Sequence, residues 1–279
     1  MNLVVQGDAL DPATLRLLKT LTGAETPEPI DAHAYRFSAK NREQITAEIA
    51  AICTAQKLDW AWVPEGRKLS GFGLFVTDMD STLINIECID EIADMRGVKP
   101  EVAAITESAM RGEIDYRTSL AQRVSLLAGL PEKALAEVYA KRLRLNPGAE
   151  SLIASLKAAG IRTALVSGGF TYFTEHIQRE LGFDYAWANE LEVVNGYLTG
   201  RTLGPIIDGS AKADRLVATR NALGLSKEQV ICCGDGANDI PMSRAAGFSI
   251  AYRPKPALRE VAHCCFDYVG LEGIARLFG

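Results

Sequence analysis

Hydrophobic residues after position 72 fall into short continuous runs that alternate with helical patterns. The runs are LFVT (74–77), IRTALVS (161–167), QVICC (229–233) and FSIAY (248–252). Helical patterns cover residues 148–159, 171–181 and 211–223. Continuous apolar runs are typical of strands that a parallel sheet buries on both faces. The alternation of strand and helix therefore predicts an α/β fold with a doubly wound parallel sheet.

A purely helical stretch interrupts this alternation between residues 86 and about 145. The predicted helices cover residues 89–96, 100–111, 116–128 and 131–143. Glycines separate these helices, and prolines stand at two of the predicted helix starts. The pattern predicts a helical cap inserted just after the first buried strand. A later segment, ELEVVNGYLTGRT (190–202), predicts a β-hairpin that turns at Asn195-Gly196.

Residues 1–70 predict a separate small α/β unit. The segments NLVVQ (2–6), AHAYRFSA (32–39) and DWAWV (59–63) are interpreted as strands. One helix is expected to begin at Asp11-Pro12, with an apolar face, and a second covers 42–56. The leucines expected on that apolar face are Leu15, Leu17, Leu18 and Leu21. The polar segment EGRKLSG (65–71) is interpreted as a linker, so residues 71–279 form the second domain.

Composition and charge exclude several classes of protein. The 279 residues carry a formal net charge of −5 and contain no dense basic run, which argues against nucleic-acid binding. No apolar run approaches the roughly 20 residues that span a bilayer, so no membrane partner is expected. The N-terminus lacks the pattern of a secretory signal, which predicts a cytoplasmic protein. The six cysteines are expected to be reduced, buried side chains rather than disulfides or zinc ligands.

The sequence DMDST follows the first buried run and brings two carboxylates, Asp78 and Asp80, to a strand end. An ionised carboxylate can attack phosphorus and form an acyl phosphate. A second carboxyl group can protonate the leaving oxygen and later deprotonate water. Aspartate and serine are also common in turns. Taken alone, this motif therefore indicates a turn rather than a catalytic site.

Two further segments stand at the ends of other runs, and a lysine in a later helix is a fourth candidate. Ser167-Gly168-Gly169 offers a hydroxyl and backbone N–H groups to an anion just before a helix. GDGAND contains Asp235, Asn238 and Asp239, a cluster of hard oxygen ligands suited to Mg²⁺. Lys212 stands early in a predicted helix, where it could reach a phosphate, although most lysines only face solvent. Ligands of such sheets bind at the carboxyl ends of the strands, so these segments are candidates for one site.

Taken in order, DMDST, SGG, a lysine and GDGAND resemble the haloacid-dehalogenase-like phosphohydrolases. The resemblance covers residues 72–279. Longer strings narrow it to the phosphoserine phosphatases of that superfamily. These strings are DMDSTLINIECIDEIA, ITESAMRGEIDY, SLAQRVSLL, LVSGGF, YAWANELEV and GDGANDIPM. The N-terminal unit resembles an ACT-like regulatory domain on pattern alone.

The resemblance implies a Mg²⁺-dependent hydrolase that releases L-serine from phosphoserine, the last step of serine biosynthesis. It implies that Asp78 is the nucleophile and Asp80 the general acid/base. Mg²⁺ would be held by the Asp78 carboxylate, the Asp80 backbone carbonyl and Asp235, with Asp239 supporting that site. The implied substrate-binding residues are Glu87, Met110, Tyr116, Arg123, Ser167, Gly168, Lys212 and Asn238.

Within this set, the resemblance implies that the residues of the cap determine which substrate is bound. Glu87 corresponds to the partner of the substrate ammonium and Arg123 to the partner of its carboxylate, which a guanidinium can bind bidentately. Met110 and Tyr116 correspond to apolar residues that close over the substrate. The chain departs from the family pattern at Met79, where an aromatic residue is frequent, and at Tyr116, where Phe is frequent. The hydroxyl of Tyr116 needs a partner near the cap.

Several alternatives stay open at this point. The same machinery could transfer phosphate from phosphoserine to an acceptor such as homoserine. A broad sugar-phosphate phosphatase would not need the pair of Glu87 and Arg123. A non-catalytic serine-sensing protein would be expected to have lost at least one catalytic residue. The expected partner is a small phosphorylated amino acid, and an association role of the N-terminal unit leaves a homodimer open.

Overall fold

The computed structural model describes residues 1–40 and 42–279, and eleven strands lie within them. The strands are β1 (Asn2–Gln6), β2 (Glu28–Asp31), β3 (Ala34–Ser38), β4 (Asp59–Val63), β5 (Leu74–Thr77), β6 (Arg162–Phe170), β7 (Tyr185–Val194), β8 (Tyr197–Leu203), β9 (Val230–Gly234), β10 (Phe248–Tyr252) and β11 (Cys264–Phe266). They form one sheet in the order β2-β3-β1-β4-β11-β10-β9-β5-β6-β7-β8. The six neighbouring strands from β11 to β7 run parallel, which confirms the predicted α/β class.

Helices cover both faces of the parallel strands. They are α1 (Pro12–Thr22), α2 (Arg42–Gln56), α3 (Cys88–Arg96), α4 (Lys99–Met110), α5 (Tyr116–Ser125), α6 (Lys133–Lys141), α7 (Ala149–Ala158), α8 (Thr171–Leu181), α9 (Gly209–Ala222), α10 (Ile240–Ala245), α11 (Pro256–Arg259) and α12 (Gly273–Arg276). In β5, Leu74 and Val76 pack into one core with α9 and α10, whereas Phe75 faces the other core with α7 and α8. Full burial of a side chain of this size stabilises the fold by about 1.5–3 kcal/mol.

The inserted helices α3 to α6 form the cap. The chain leaves the core and returns to it at one place, where an isolated antiparallel bridge joins Ile84 to Leu145. Asn146 strengthens this base, because its Nδ2 donates to the carbonyl oxygens of Thr82 at 2.8 Å and Ile84 at 3.0 Å. The cap also contacts the edge strand β8 through its backbone, because the N–H of Gly129 donates to the carbonyl oxygen of Leu198 at 2.8 Å and the N–H of Leu198 donates to that of Leu130 at 2.9 Å.

The N-terminal strands form the antiparallel end of the sheet. Their outer face packs against α1 and α2 through residues such as Leu3, Leu18 and Phe37, whereas Val4 and Ala61 face the main core. Strand β4 joins β11 in an antiparallel pair with one matched position, Trp60 to Cys265. The sheet thus continues across the sequence boundary predicted at residues 65–71.

Asp59, the first residue of β4, strengthens this junction. Its carboxylate accepts hydrogen bonds from the backbone N–H groups of Asp267 at 2.9 Å, Tyr268 at 2.9 Å and Val269 at 2.8 Å. The carboxylate is buried, and burial raises its pKa although the three N–H donors act in the opposite direction. A charged hydrogen bond is worth more than a neutral one, so these contacts connect the two parts of the chain strongly.

Local predictions succeed where a physical signal is strong. Asp11 caps α1 by accepting from the N–H groups of Ala13 at 2.8 Å and Thr14 at 3.0 Å, as predicted. The hairpin of β7 and β8 turns at Asn195-Gly196, where both residues have positive φ. The apolar face predicted for α1 is partly wrong, because Leu17 is 47% exposed. Strands β2 and β11 and the short helices α10 to α12 have no counterpart in the sequence prediction.

All six cysteines have free thiols, as predicted, and five of them are buried. Within the described residues, none of the helices has both the length and the apolar composition needed to cross a membrane.

Candidate active site

The carboxyl ends of β5 and β9 meet at the floor of a cavity of about 700 Å³. Asp78 directly follows β5 and Asp235 follows β9, and these strands are hydrogen-bonded neighbours. In the sheet, β5 lies between β6, the next strand along the chain, and β9, which comes much later. The strand order therefore reverses between β5 and β9. Ligand sites of open α/β sheets lie at such switch points.

Asp78 is buried in a network of charges. Its Oδ2 lies 2.6 Å from Nζ of Lys212, and its Oδ1 accepts from the N–H of Met79 at 2.7 Å. Burial raises the pKa of Asp78 well above its ordinary value, and the charges of Asp239 and Asp235 act in the same direction. Lys212 opposes that shift.

Lys212 extends from the first turn of α9 and is fully buried. Its Nζ lies 2.8 Å from Oδ1 of Asp239 as well as near Asp78. Burial alone would lower the pKa of this ammonium, but the charges of Asp239 and Asp78 outweigh burial and raise it. Lys212 is therefore a fixed positive charge at the cavity floor.

Asp239 orders the loop that follows β9. Its Oδ2 accepts the backbone N–H groups of Asp235 at 3.1 Å and Gly236 at 3.2 Å, while its Oδ1 bonds to Lys212. Asn238, in the same loop, donates its Nδ2 to Oδ2 of Asp78 at 3.4 Å. The GDGAND loop, which follows the neighbouring strand β9, therefore contacts Asp78 through Asn238.

Asp80 has the character of a carboxyl group that holds a proton near neutral pH. Burial raises its pKa to about 8, with Glu87 as the next cause. Its Oδ1 is buried, and no partner for it lies among the described residues. A protonated carboxyl group beside a buried carboxylate fits a general acid.

The donor set fits a hard divalent cation. Asp78, Asp235 and Asp239 each offer a carboxylate oxygen, and these atoms lie within 4.8 Å of one another. All three residues are buried. Several ionised carboxylates this close repel one another unless cations balance them, and Mg²⁺ prefers oxygen ligands of this kind. The residues present therefore fit Mg²⁺.

The Ser167-Gly168-Gly169 segment forms one wall of the cavity. The hydroxyl of Ser167 accepts from the N–H of Gly169 at 2.9 Å. The carbonyl oxygen of Gly168 accepts from two donors, Nδ2 of Asn189 at 2.7 Å and the hydroxyl of Tyr116 at 3.1 Å. This peptide is therefore held in place by a core residue and by the cap together.

The cap residues named from the sequence, Glu87, Met110, Tyr116 and Arg123, also line the cavity. Glu87 accepts a hydrogen bond from the hydroxyl of Ser81 at 2.8 Å, and Arg123 donates Nε to the carbonyl oxygen of Ser119 at 3.3 Å. Met110 ends α4 with its side chain 75% exposed at the rim. The predicted residues from the core and cap thus border one space.

Lys255 and Ser119 are polar residues of the cavity wall that escaped sequence reasoning. Lys255, between two prolines after β10, places its Nζ 3.0 Å from Oδ2 of Asp235 and 3.7 Å from Oε1 of Glu87. Ser119, on α5, has a buried hydroxyl for which the described part of the chain offers no partner. Position after a buried strand could have suggested Lys255, whereas no signal distinguishes Ser119 from any helical serine.

The profile of the haloacid dehalogenase-like hydrolase family matches residues 75–244. The curated phosphoserine phosphatase of Albidiferax ferrireducens is 52% identical over 76% of this chain and 91% of its own length.

Solved structures give the same comparison at the level of the fold. A haloacid dehalogenase family hydrolase from Salmonella enterica serovar Typhi has a TM-score of 0.89 at 32% identity, covering 100% of this chain and 99% of its own. A substrate-bound phosphoserine phosphatase complex has a TM-score of 0.70 at 41% identity, covering 75% of this chain and 99% of its own.

Proposed function

Because the chain belongs to the haloacid dehalogenase-like hydrolase family, we propose that it is a phosphoserine phosphatase. It hydrolyses O-phospho-L-serine to L-serine and inorganic phosphate, the last step of serine biosynthesis. One observation carries the proposal most directly. The buried Asp78, paired with Lys212, lies on the same cavity as Asp80, whose raised pKa of about 8 suits an acid. Cavity residues also include Glu87 and Arg123, which can bind an ammonium and a carboxylate.

In the first step, a carboxylate oxygen of Asp78 attacks phosphorus while the bond to the serine oxygen breaks. Asp80 gives its proton to that oxygen, so L-serine leaves as an alcohol. The product on the enzyme is an acyl phosphate at Asp78. Lys212 keeps positive charge beside the phosphoryl group, where negative charge would otherwise repel the attacking carboxylate.

In the second step, water attacks the phosphorus of the acyl phosphate. Asp80, now ionised, takes a proton from that water, and the carboxylate of Asp78 is restored. Inorganic phosphate leaves, and Asp80 carries the proton needed for the next cycle.

Asp78, Asp235 and the backbone carbonyl of Asp80 would hold Mg²⁺, with Asp239 supporting the site through Lys212 and the loop N–H groups. The ion would neutralise charge on the phosphate. Ser167, the N–H of Gly168, Lys212 and Asn238 would hold the phosphate. Glu87 would bind the substrate ammonium and Arg123 its carboxylate, with Met110 and Tyr116 closing the cavity.

The N-terminal unit, residues 1–70, is proposed as an ACT-like regulatory or association domain beside the phosphatase domain, residues 71–279, with the cap at about 86–145. Its elements follow the order βαββαβ, an arrangement of the ferredoxin-like type. Sedimentation of the full chain with and without L-serine tests both roles. A serine-dependent change supports regulation, a constant dimer supports association, and a monomer that ignores serine contradicts both.

The decisive experiment measures phosphate release from L-phosphoserine, phosphothreonine and a sugar phosphate, with and without Mg²⁺. Mg²⁺-dependent release mainly from phosphoserine supports the proposal. Release from the sugar phosphate alone would retain the chemistry of Asp78 and contradict the assigned roles of Glu87 and Arg123. Phosphohomoserine formed when homoserine is added would indicate phosphotransfer instead. Serine binding without turnover would indicate a sensing protein.

The free thiols of all six cysteines support a reducing, cytoplasmic location for this reaction. Fractionation of cells that express the tagged full chain would check this location.

A further inference from the structure

Lys255 occupies a defined place at the carboxyl end of β10. The chain turns there through Arg253, which has a positive φ of 43°, and the backbone N–H of Lys255 donates to the carbonyl oxygen of Asp235 at 2.8 Å. Its ammonium lies 3.0 Å from Oδ2 of Asp235 and 3.7 Å from Oε1 of Glu87. The side chain is 52% exposed, so solvent reaches the charge from the cavity mouth.

We propose that Lys255 is a built-in counter-ion that competes with the two cations of the reaction and limits the affinity of the site for both. The inference rests on the proposed function, in which Asp235 holds Mg²⁺ and Glu87 holds the substrate ammonium. Lys255 lies within reach of both carboxylates. Each carboxylate therefore has a cationic partner from the chain itself as well as one from solution.

The contrast with Lys212 explains why competition follows from the geometry. Lys212 is buried and paired with Asp78 and Asp239, so its charge cannot leave the cavity floor. Lys255 can turn its long side chain into solvent while its backbone N–H stays on Asp235. Like charges a few ångströms apart repel, and this repulsion disfavours a divalent ion beside an ammonium that stays in place.

Stability alone does not account for the pair. An ion pair whose lysine is half exposed typically adds little to the stability of the fold. Loss of Lys255 should therefore leave a folded protein in which the cation sites can be measured directly.

The test compares the full-length protein with Lys255→Met by titration calorimetry, using Mg²⁺ alone and then L-serine. The variant is expected to bind Mg²⁺ about tenfold more tightly, because one positive charge near the ion is gone. L-serine is expected to bind several-fold more tightly as well. Lys255→Arg, which keeps the charge, should match the unaltered protein. Lys133→Met, which removes a lysine from the exposed side of α6, controls for net charge and should also match it.

Weaker Mg²⁺ binding in Lys255→Met would overturn the inference, since Lys255 would then orient Asp235 rather than compete for it. Equal binding in the two proteins would overturn it too. If the unaltered protein bound no Mg²⁺ at all, the proposed function would fail first, and the inference would fail with it. Calorimetry of the unaltered protein thus separates the two failures.

Discussion

Asp59 at the junction of the sheet and Asp78 at the floor of the cavity are both buried aspartates, but their surroundings differ in kind. Asp59 receives three backbone N–H groups. Asp78 receives one backbone N–H and the ammonium of Lys212, and it faces the further carboxylates of Asp235 and Asp239. Burial raises the pKa of both groups, but only at Asp78 do several neighbouring carboxylates add to that shift.

This difference in surroundings distinguishes an aspartate that supports the fold, Asp59, from one proposed to take part in chemistry, Asp78. Backbone N–H groups are part of the fold, so the charge of Asp59 is balanced permanently. The carboxylates around Asp78 outnumber the lysines buried with them, so they need a cation from solution. Around Asp78, the buried carboxylates outnumber the buried lysines, and this excess of negative charge distinguishes the proposed reactive region. At the junction, backbone hydrogen bonds satisfy the single carboxylate of Asp59.

Asp78→Asn should break the comparison most severely, because it removes the proposed nucleophile while keeping the shape of the side chain. We expect turnover of phosphoserine to be abolished, because an amide does not form the acyl phosphate. The melting temperature should not fall, since the variant removes a charge from a crowded cluster. Phosphate release and thermal melting measure the two effects. Retained turnover would contradict the assignment of Asp78.

Asp59→Ala should have the converse effect. It leaves three backbone N–H groups at the junction without their acceptor, and each buried unsatisfied group costs about 1–3 kcal/mol. We expect the free energy of unfolding, measured with urea, to fall by about 3 kcal/mol or more. Turnover per folded molecule should stay near that of the unaltered protein. Asp59→Asn, which keeps one acceptor oxygen, should lose less stability.

Asp80→Asn sharpens the comparison through pH. The folded pKa of Asp80 is about 8, above its ordinary value of 3.8, because burial disfavours the charge. A group with a raised folded pKa stabilises the fold fully below about pH 4 and loses that contribution as pH rises through about 8. The neutral variant should therefore gain stability over the unaltered protein as pH rises between these values. Thermal melting in a chelating buffer from pH 4 to 9 measures this gain, and a constant difference would contradict it.

Arg123→Ala tests whether the cap recognises the substrate carboxylate. A hydrogen bond to a charged group contributes about 1.5–3 kcal/mol, so kcat/KM for phosphoserine should fall tenfold or more. Turnover of a generic aryl phosphate should fall much less, since it has no carboxylate. Arg123→Lys keeps the charge but lacks the bidentate fork, so its kcat/KM for phosphoserine should lie between that of the unaltered protein and that of Arg123→Ala. Equal losses on both substrates would mean that Arg123 is structural.

Tyr116→Phe should give the smallest effect. It removes the hydroxyl that donates to the carbonyl oxygen of Gly168 at 3.1 Å, while Asn189 still holds that oxygen at 2.7 Å. One neutral hydrogen bond contributes about 0.5–1.5 kcal/mol, so kcat/KM for phosphoserine should fall about two- to tenfold. An unchanged kcat/KM would show that Asn189 alone is sufficient to position the Gly168 peptide.

The sequence predicted which residues border the cavity better than it predicted the junction, and the reason is physical. Asp78 and Asp235 each follow a buried apolar run and Ser167 ends one, although β6 continues to Phe170. Parallel strands bring such ends to one edge. Asp59 lies more than 200 positions from its hydrogen-bond donors, and neither segment has a local pattern that indicates the other. Strand β2 was missed because the segment EPID is short, polar and contains proline, as is common for edge strands.

Side-chain geometry was the other limit. The notable departure at Tyr116 predicted a hydroxyl that needs a partner, but only the folded chain identifies that partner as the Gly168 carbonyl. Leu17 illustrates the opposite case, because helical periodicity placed it on an apolar face that is narrower than expected. Periodicity gives the direction of a side chain to within about one position, which is too coarse to decide contacts.

The order of the sheet also has a consequence for synthesis on the ribosome. Asp78 directly follows strand β5, but the neighbouring strand β9 lies 156 positions later in the chain, pairing Leu74 with Val230. The N-terminal α/β unit has its own local core and can begin to fold early, whereas pairings over such distances form slowly. A nascent chain that ends before β9 therefore exposes the apolar edge of β5 and lacks Asp235 and Asp239. The proposed reactive centre is complete only after Asp239 has been synthesised, so products truncated before that residue are expected to have no phosphatase activity.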